Sequence, residues 1–216
     1  MEQIILFGAG GHAKVIASII EKQNKYIIAG FFDNLNLQNN KLGNYTIFHS
    51  FSDIKQHNIR KGIIAIGHNQ LRHKFFKLII SSLPEMEFVS IIDTSAQIAR
   101  DVEIGDGSVV MPLTCIHCGS VIGAHSIVNT KASLDHDNYL GNFASVSPGV
   151  TIGGNSSILD FAFIGLGSNI IQKITIGKNV IIGSGSTVLK NIPDNVVAFG
   201  SPCKIIRPIN DFENYI

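Results

Sequence analysis

The chain has 216 residues, room for one or two domains, and 45% of them are hydrophobic, as suits a protein with a sizeable core. A net charge of +1 gives no global electrostatic case for nucleic acid or an anionic membrane surface, and every apolar run stops short of the roughly 18 residues of a membrane span. Three cysteines, an odd number, and a start that runs directly into IILFGAGG without a basic leader point to a reducing cytoplasm rather than a disulfide-stapled secreted domain.

In chain order, Gln3–Phe7 reads as a buried strand, Gly8–Gly11 as a tight turn and His12–Lys22 as a helix. Tyr26–Phe32 reads as a second strand ending at Asp33, and the asparagine-rich Asn34–Asn44 as a loop. A short helix over Ser50–His57, a strand over Gly62–Ile66 and a helix over Gln70–Ser82 follow, the last with Leu71, Phe75, Leu78 and Ile79 on one face. Strands alternating with helices predict a small parallel α/β sheet over residues 1–88. Gly8-Ala9-Gly10-Gly11-His12-Ala13 satisfies the G-x-G-x-x-A fingerprint, with Asp33 about twenty residues on. Such glycines let backbone approach a phosphate or sugar at a helix N-terminus, whose dipole favours negative charge. The segment has room for half of a two-lobed dinucleotide fold, which suits a mononucleotide better than NAD.

From residue 89 to residue 216 the texture changes. Every sixth residue from Ile92 to Val188 is aliphatic, seventeen times without a miss, and small residues such as Ala96, Ser108, Ala144 and Ser186 stand four places after their anchors. A period of six fits neither an amphipathic helix nor an alternating strand; it predicts a hexapeptide-repeat β-helix. One hexad cannot bury its anchor, but a stack builds a continuous core. In the hexad Leu134–Tyr139, His136 takes an outward turn position between Asp135 and Asp137.

GAGGHAKVI at the start, AIGHNQLRHK at Ala65–Lys74, DHDNYLG at Asp135–Gly141 and the closing VAFGSPCKIIR, together with the hexads, resemble the NeuD/PglD-type sugar acetyltransferases over essentially the whole chain. The resemblance implies an N-terminal half-Rossmann domain followed by a left-handed parallel β-helix of eighteen-residue coils. It further implies acetyl-CoA as co-substrate without a metal, and a homotrimer with active sites between subunits. The implied activity is N-acetylation of the 4-amino group of a nucleotide-linked dideoxy sugar in surface glycan synthesis. O-acetylation of a sialic acid and a non-catalytic sugar-nucleotide scaffold are the alternatives. Gly10, Gly11 and His12 would contact the phosphate or sugar, Asp33 and Asn34 the base, and Gly67 with Asn69 the far wall. Ser145 stands where the family has a CoA-contacting histidine. Leu166 and Ser184 align with positions along the pantetheine and adenine ends of CoA; Lys190, Lys204 and Arg207 either meet its phosphates or are solvated.

An eighteen-residue coil places Gly153 and Gly154 beside Asp135 and His136. Acetyl transfer needs a base for the nucleophile's proton, and histidine suits that task at neutral pH. A carboxylate fixes the imidazole tautomer, and a backbone N–H stabilises the oxyanion. The expected catalytic set is therefore His136, its partner Asp137 (or Asp135), and the Gly154 N–H. A zinc hydratase of related architecture needs two histidines five apart in the repeat, whereas His117, His125 and His136 are spaced eight and eleven.

Overall fold

The computed structural model describes residues 1–34 and 41–210. The first part is a six-stranded sheet of β1 (Gln3–Phe7), β2 (Ile27–Phe32), β3 (Lys41–Leu42), β4 (Tyr45–Phe48), β5 (Lys61–Ile64) and β6 (Glu87–Phe88), in the order β3-β4-β2-β1-β5-β6. All pairings are parallel except β3 with β4. Helix α1 (Gly11–Gln23) covers one side of the sheet through Ala13, Ile16 and Ile20; α2 (Phe51–Gln56) and α3 (Asn69–Ser82) cover the other, with Ile54 and Ile79 fully buried. The expected loop over Asn34–Asn44 is corrected at its end: Lys41–Leu42 is a strand, turned back on Tyr45–Phe48 through Gly43 at φ +61°. The remainder of that loop, residues 35–40, lies outside the described residues.

The second part is a three-sided stack of two-residue strands. Strands pair in parallel with partners one coil away, Val109 with Ile127, Cys115 with Ser133 and Val121 with Tyr139, a repeat of eighteen. The first face begins at Ile91–Ile92, the second at Gln97–Ile98 and the third at Glu103–Ile104. The anchors from Val110 to Val188 are 3% exposed or less, because each points into the stack and packs with the anchors of neighbouring coils in one continuous core. Burial of a side chain of this size contributes about 1.5–3 kcal/mol, so the column is the main source of the stack's stability. The first face is closed by a hairpin of Val196–Gly200 and Cys203–Pro208.

Three edges join the faces. Residues at one edge position adopt left-handed backbone in coil after coil: Leu113 and Lys131 with Gly149, Gly167 and Gly185 between the first and second faces; Gly119, Asp137, Asn155 and Lys173 between the second and third; and Gly107, His125, Phe143, Phe161 and Asn179 between the third and first. We call these the glycine edge, the histidine edge (after His136) and the helix edge.

Helix α3 docks on the helix edge through polar groups. Arg72, 1% exposed, donates to the carbonyls of Ile66 and Gly67 on its own side and of His125 and Phe143 across the seam, at 2.8–3.0 Å. Asn69 donates to the carbonyls of Phe161 and Ala162, both at 3.0 Å. The rings of His125, Phe143 and Phe161 stack one coil apart, and Phe76 and His73 lean on them. The expected apolar stripe is corrected accordingly: Leu71 and Leu78 are exposed, while Asn69, Arg72 and Ile79 are the buried residues of α3. Among the described residues no helix is long and apolar enough to cross a membrane.

Candidate active site

Two clusters carry the expected site residues. At the carboxyl ends of β1 and β2, Gly8 sits at φ +123° and a Cβ there would lie 2.9 Å from the Ala65 carbonyl, so only glycine fits. Gly10 and Gly11 differ: added Cβ atoms would meet nothing within 4 Å. Gly10 is the N-cap of α1 and supplies no side-chain cap, which leaves the helix's positive end facing open space. His12 follows, with its Nε2 buried and unpartnered among the described residues; burial, with the Arg72 cation adding to it, pushes its pKa down to about 4. The expected Asp33 and Asn34 close the end of β2, and the Asp33 carbonyl accepts a hydrogen bond from His49 Nδ1 at 2.6 Å. Gly67 follows β5, which pairs with β1, and its carbonyl accepts from Arg72. Asn69 is fully buried, and its side chain is committed to the β-helix, so its expected place in the pocket wall is corrected to a role in the seam. His68 is the buried N-cap of α3 and accepts from Leu71 N–H.

The second cluster is on the histidine edge. His136 is exposed, and its Nδ1 donates to Asp137 Oδ2 at 2.7 Å; Asp135 Oδ1 instead accepts from the His136 backbone N–H at 2.9 Å. The hydrogen bond to Asp137 holds His136 above its ordinary pKa, and the charges of Asp135 and Asp137 add to the effect. With Nδ1 engaged, the neutral ring presents the Nε2 lone pair outward. Gly154 lies beside that nitrogen: a Cβ there would sit 2.7 Å from Nε2. Its N–H meets no acceptor among the described residues. Gly119, one coil earlier, does the same for the acid, since a Cβ there would overlap the Asp137 carboxylate. That glycine was missed, although the eighteen-residue offset that found Gly154 also reaches it.

The expected CoA contacts separate. Leu166 and Ser184 are exposed on the glycine edge, next to Gly167 and Gly185, whose missing side chains would meet nothing within 4 Å. Ser145 is on the first face, 4% exposed, donating to Asn69 Oδ1 at 2.6 Å and accepting from Arg72 at 3.1 Å. The expectation that it touches CoA is corrected: α3 covers it. The glycine and histidine edges of one chain are separated by the whole width of the second face.

Residues 3–79 match the family described as the PglD N-terminal domain. The whole chain is similar to the GDP-perosamine N-acetyltransferase of Escherichia coli O157:H7, 26% identical over 215 residues that cover 94% of this chain and 95% of that enzyme. A single-site variant of perosamine N-acetyltransferase from Caulobacter crescentus, solved in complex with CoA and GDP-perosamine, superimposes with a TM-score of 0.89 at 30% identity, covering 96% of this chain and 98% of that one. Against a galactoside O-acetyltransferase of Lactococcus lactis the identity is 35% over 120 residues, and the chain spans only 57% of that protein's length.

Proposed function

The chain belongs to the NeuD/PglD-type sugar acetyltransferases, left-handed β-helix enzymes, and from that premise we propose that it transfers acetyl from acetyl-CoA to the 4-amino group of a nucleotide-linked dideoxy sugar. One observation carries the mechanism: His136 Nδ1 bonded to Asp137 at 2.7 Å, with Nε2 facing the bare side of Gly154. The acceptor amine attacks the thioester carbonyl and forms the C–N bond while Nε2 removes its proton. Asp137 stabilises the resulting imidazolium, and the Gly154 N–H donates a hydrogen bond to the developing oxyanion; a donor of this kind is worth about 3 kcal/mol. Collapse breaks the C–S bond, and the imidazolium returns its proton to the departing thiolate.

Residues 1–88 hold the sugar nucleotide in this reading, over the open N-terminus of α1 at Gly10, Gly11 and His12, with Asp33, Asn34 and Gly67 around it. Residues 89–216 perform the transfer. Leu166 and Ser184 line the CoA track, but a single chain keeps that track one face away from His136. A second copy laying its glycine edge against this chain's histidine edge brings the two together, and three copies close the ring. The site is therefore built between subunits of a homotrimer. Three cysteines, an odd number, and a CoA co-substrate support a cytoplasmic location for the enzyme.

The test is thiol release from acetyl-CoA against UDP-, dTDP- and GDP-linked 4-amino sugars and free and CMP-linked sialic acid. Release with one amino sugar, lost in His136→Ala, is the expected result. Release with sialic acid alone would replace N- by O-acetylation. Acetyl-CoA and nucleotide binding without turnover on any acceptor would favour the scaffold.

A further inference from the structure

Each edge of the stack has an inward position, six residues apart along the chain, filled almost throughout by Ser, Thr, Ala or a branched aliphatic. Five of the six serines share one bond, Oγ donating to the carbonyl fifteen residues on: Ser108 to Gly123, Ser120 to Asp135, Ser126 to Gly141, Ser156 to Ile171 and Ser168 to Gly183, at 2.7–3.2 Å. Ser186 donates instead three residues back, to the Gly183 carbonyl, as Thr114 also does to Met111. Asn138 is the one amide in these columns, and it stands under the turn that carries His136. It does not share the fifteen-residue bond. Its Nδ2 donates backward to the Asp135 carbonyl at 2.7 Å, while its Oδ1 accepts from the Ser156 N–H in the next coil at 2.9 Å and its own N–H donates to Ser120 Oγ at 3.2 Å. Both side-chain partners are backbone groups of fixed polarity, so the amide has only one orientation.

We propose that Asn138 is a positioning residue for acetyl transfer, a buried amide that holds the Asp135–Asp137 turn at a fixed distance from the turn carrying Gly154. The proposal rests on the reading of His136 as base and Gly154 as oxyanion donor. Asn138 is 3% exposed, and its hydrogen bonds go to Ser120 Oγ, the Asp135 carbonyl and the Ser156 N–H rather than to the imidazole. What it ties together is the carbonyl that opens the histidine's turn and an amide two residues beyond Gly154. A serine at 138 that bonds as Ser120 and Ser156 do, one coil to either side, would instead grip the Gly153 carbonyl, the other end of the peptide unit that supplies the Gly154 N–H. The hold would move from the base to the oxyanion donor, and the histidine's turn would lose one of the two bonds to its Asp135 carbonyl.

The experiment is Asn138→Ser, chosen because Ser120 and Ser156 occupy the same position one coil to either side. The thermal midpoint should stay near that of the parent, and KM for acetyl-CoA and for the sugar nucleotide should not move. Turnover should fall roughly ten- to a hundredfold, as a displaced base implies. An NMR titration of the His136 ring should show its pKa drop from the raised value toward that of a free histidine as its contact with Asp137 loosens. A folded Asn138→Ser with parental turnover and an unmoved His136 titration overturns the proposal. If serine does not fold, Asn138→Ala, which copies Ala132 and Ala144 at the same inward position, carries the same two readouts. Should His136→Ala keep full turnover, the reading of the base fails, and the titration alone still decides whether Asn138 holds the His136–Asp137 pair.

Discussion

Two histidines sit at edges of the same repeat, eleven residues apart, and the fold gives them opposite properties. His125, on the helix edge, is covered by α3, stacked on Phe143 at 4.9 Å and flanked by Phe76 and Phe88. Burial pushes its pKa down to about 4, with the Arg72 and His73 charges adding to the fall, and its Nδ1 has no partner among the described residues. His136, on the histidine edge, is open and paired to Asp137, which raises its pKa. Neither difference comes from the hexad. One edge is roofed by another element and the other is left for a ligand, so cover and partner decide what a repeat position does.

The strongest way to break this contrast is at His136 itself. His136→Ala should cut turnover about a hundredfold to ten-thousandfold while acetyl-CoA binding, read by calorimetry, persists. The same truncation of His125 would act on stability instead. A fall in pKa from 6.5 to about 4 is worth about 3 kcal/mol, and the buried His12 adds a like amount. The unfolded chain takes protons that the folded chain refuses, so stability is full above pH 6.5 and is lost as pH falls toward 4. Denaturant midpoints measured across that range should decline steeply, and His125→Phe, which keeps the stack, should flatten the decline by its share.

Gly154→Ala comes next. Its methyl would press on the His136 ring and should lower turnover roughly tenfold to a hundredfold with little change in melting temperature. Asp137→Asn is the mildest. The neutral amide cannot hold the imidazolium, so the acid limb of the kcat/KM profile, set by a raised His136, should move to lower pH. A limb that stays in place would mean that Asp135 dominates.

The hexads were legible because every anchor must point into the stack, and His136 with Gly154 followed from the same spacing. The seam was not. Ser145 and Asn69 meet across 76 residues of chain, and nothing in a local pattern says that a helix will dock through an arginine and an asparagine rather than an apolar stripe. Leu71 and Leu78 misled for that reason, and Ser145 lost its expected ligand to the roof above it. Strand β3 was missed because a lone two-residue strand outside any repeat carries too little pattern to separate from a loop.

The eighteen-residue pairing also sets a grammar for length change. Six residues added anywhere between Ile92 and Val188 would turn everything after them by a third of a circle about the stack axis. Placed between His125 and His136, such an insert would carry the imidazole from the histidine edge to the helix edge, beneath α3. Eighteen residues would thicken the prism by one storey and leave every later edge in line. Insertions in this part of the chain are therefore tolerated by threes of hexads or as side loops, and every other length trades one edge's chemistry for another's.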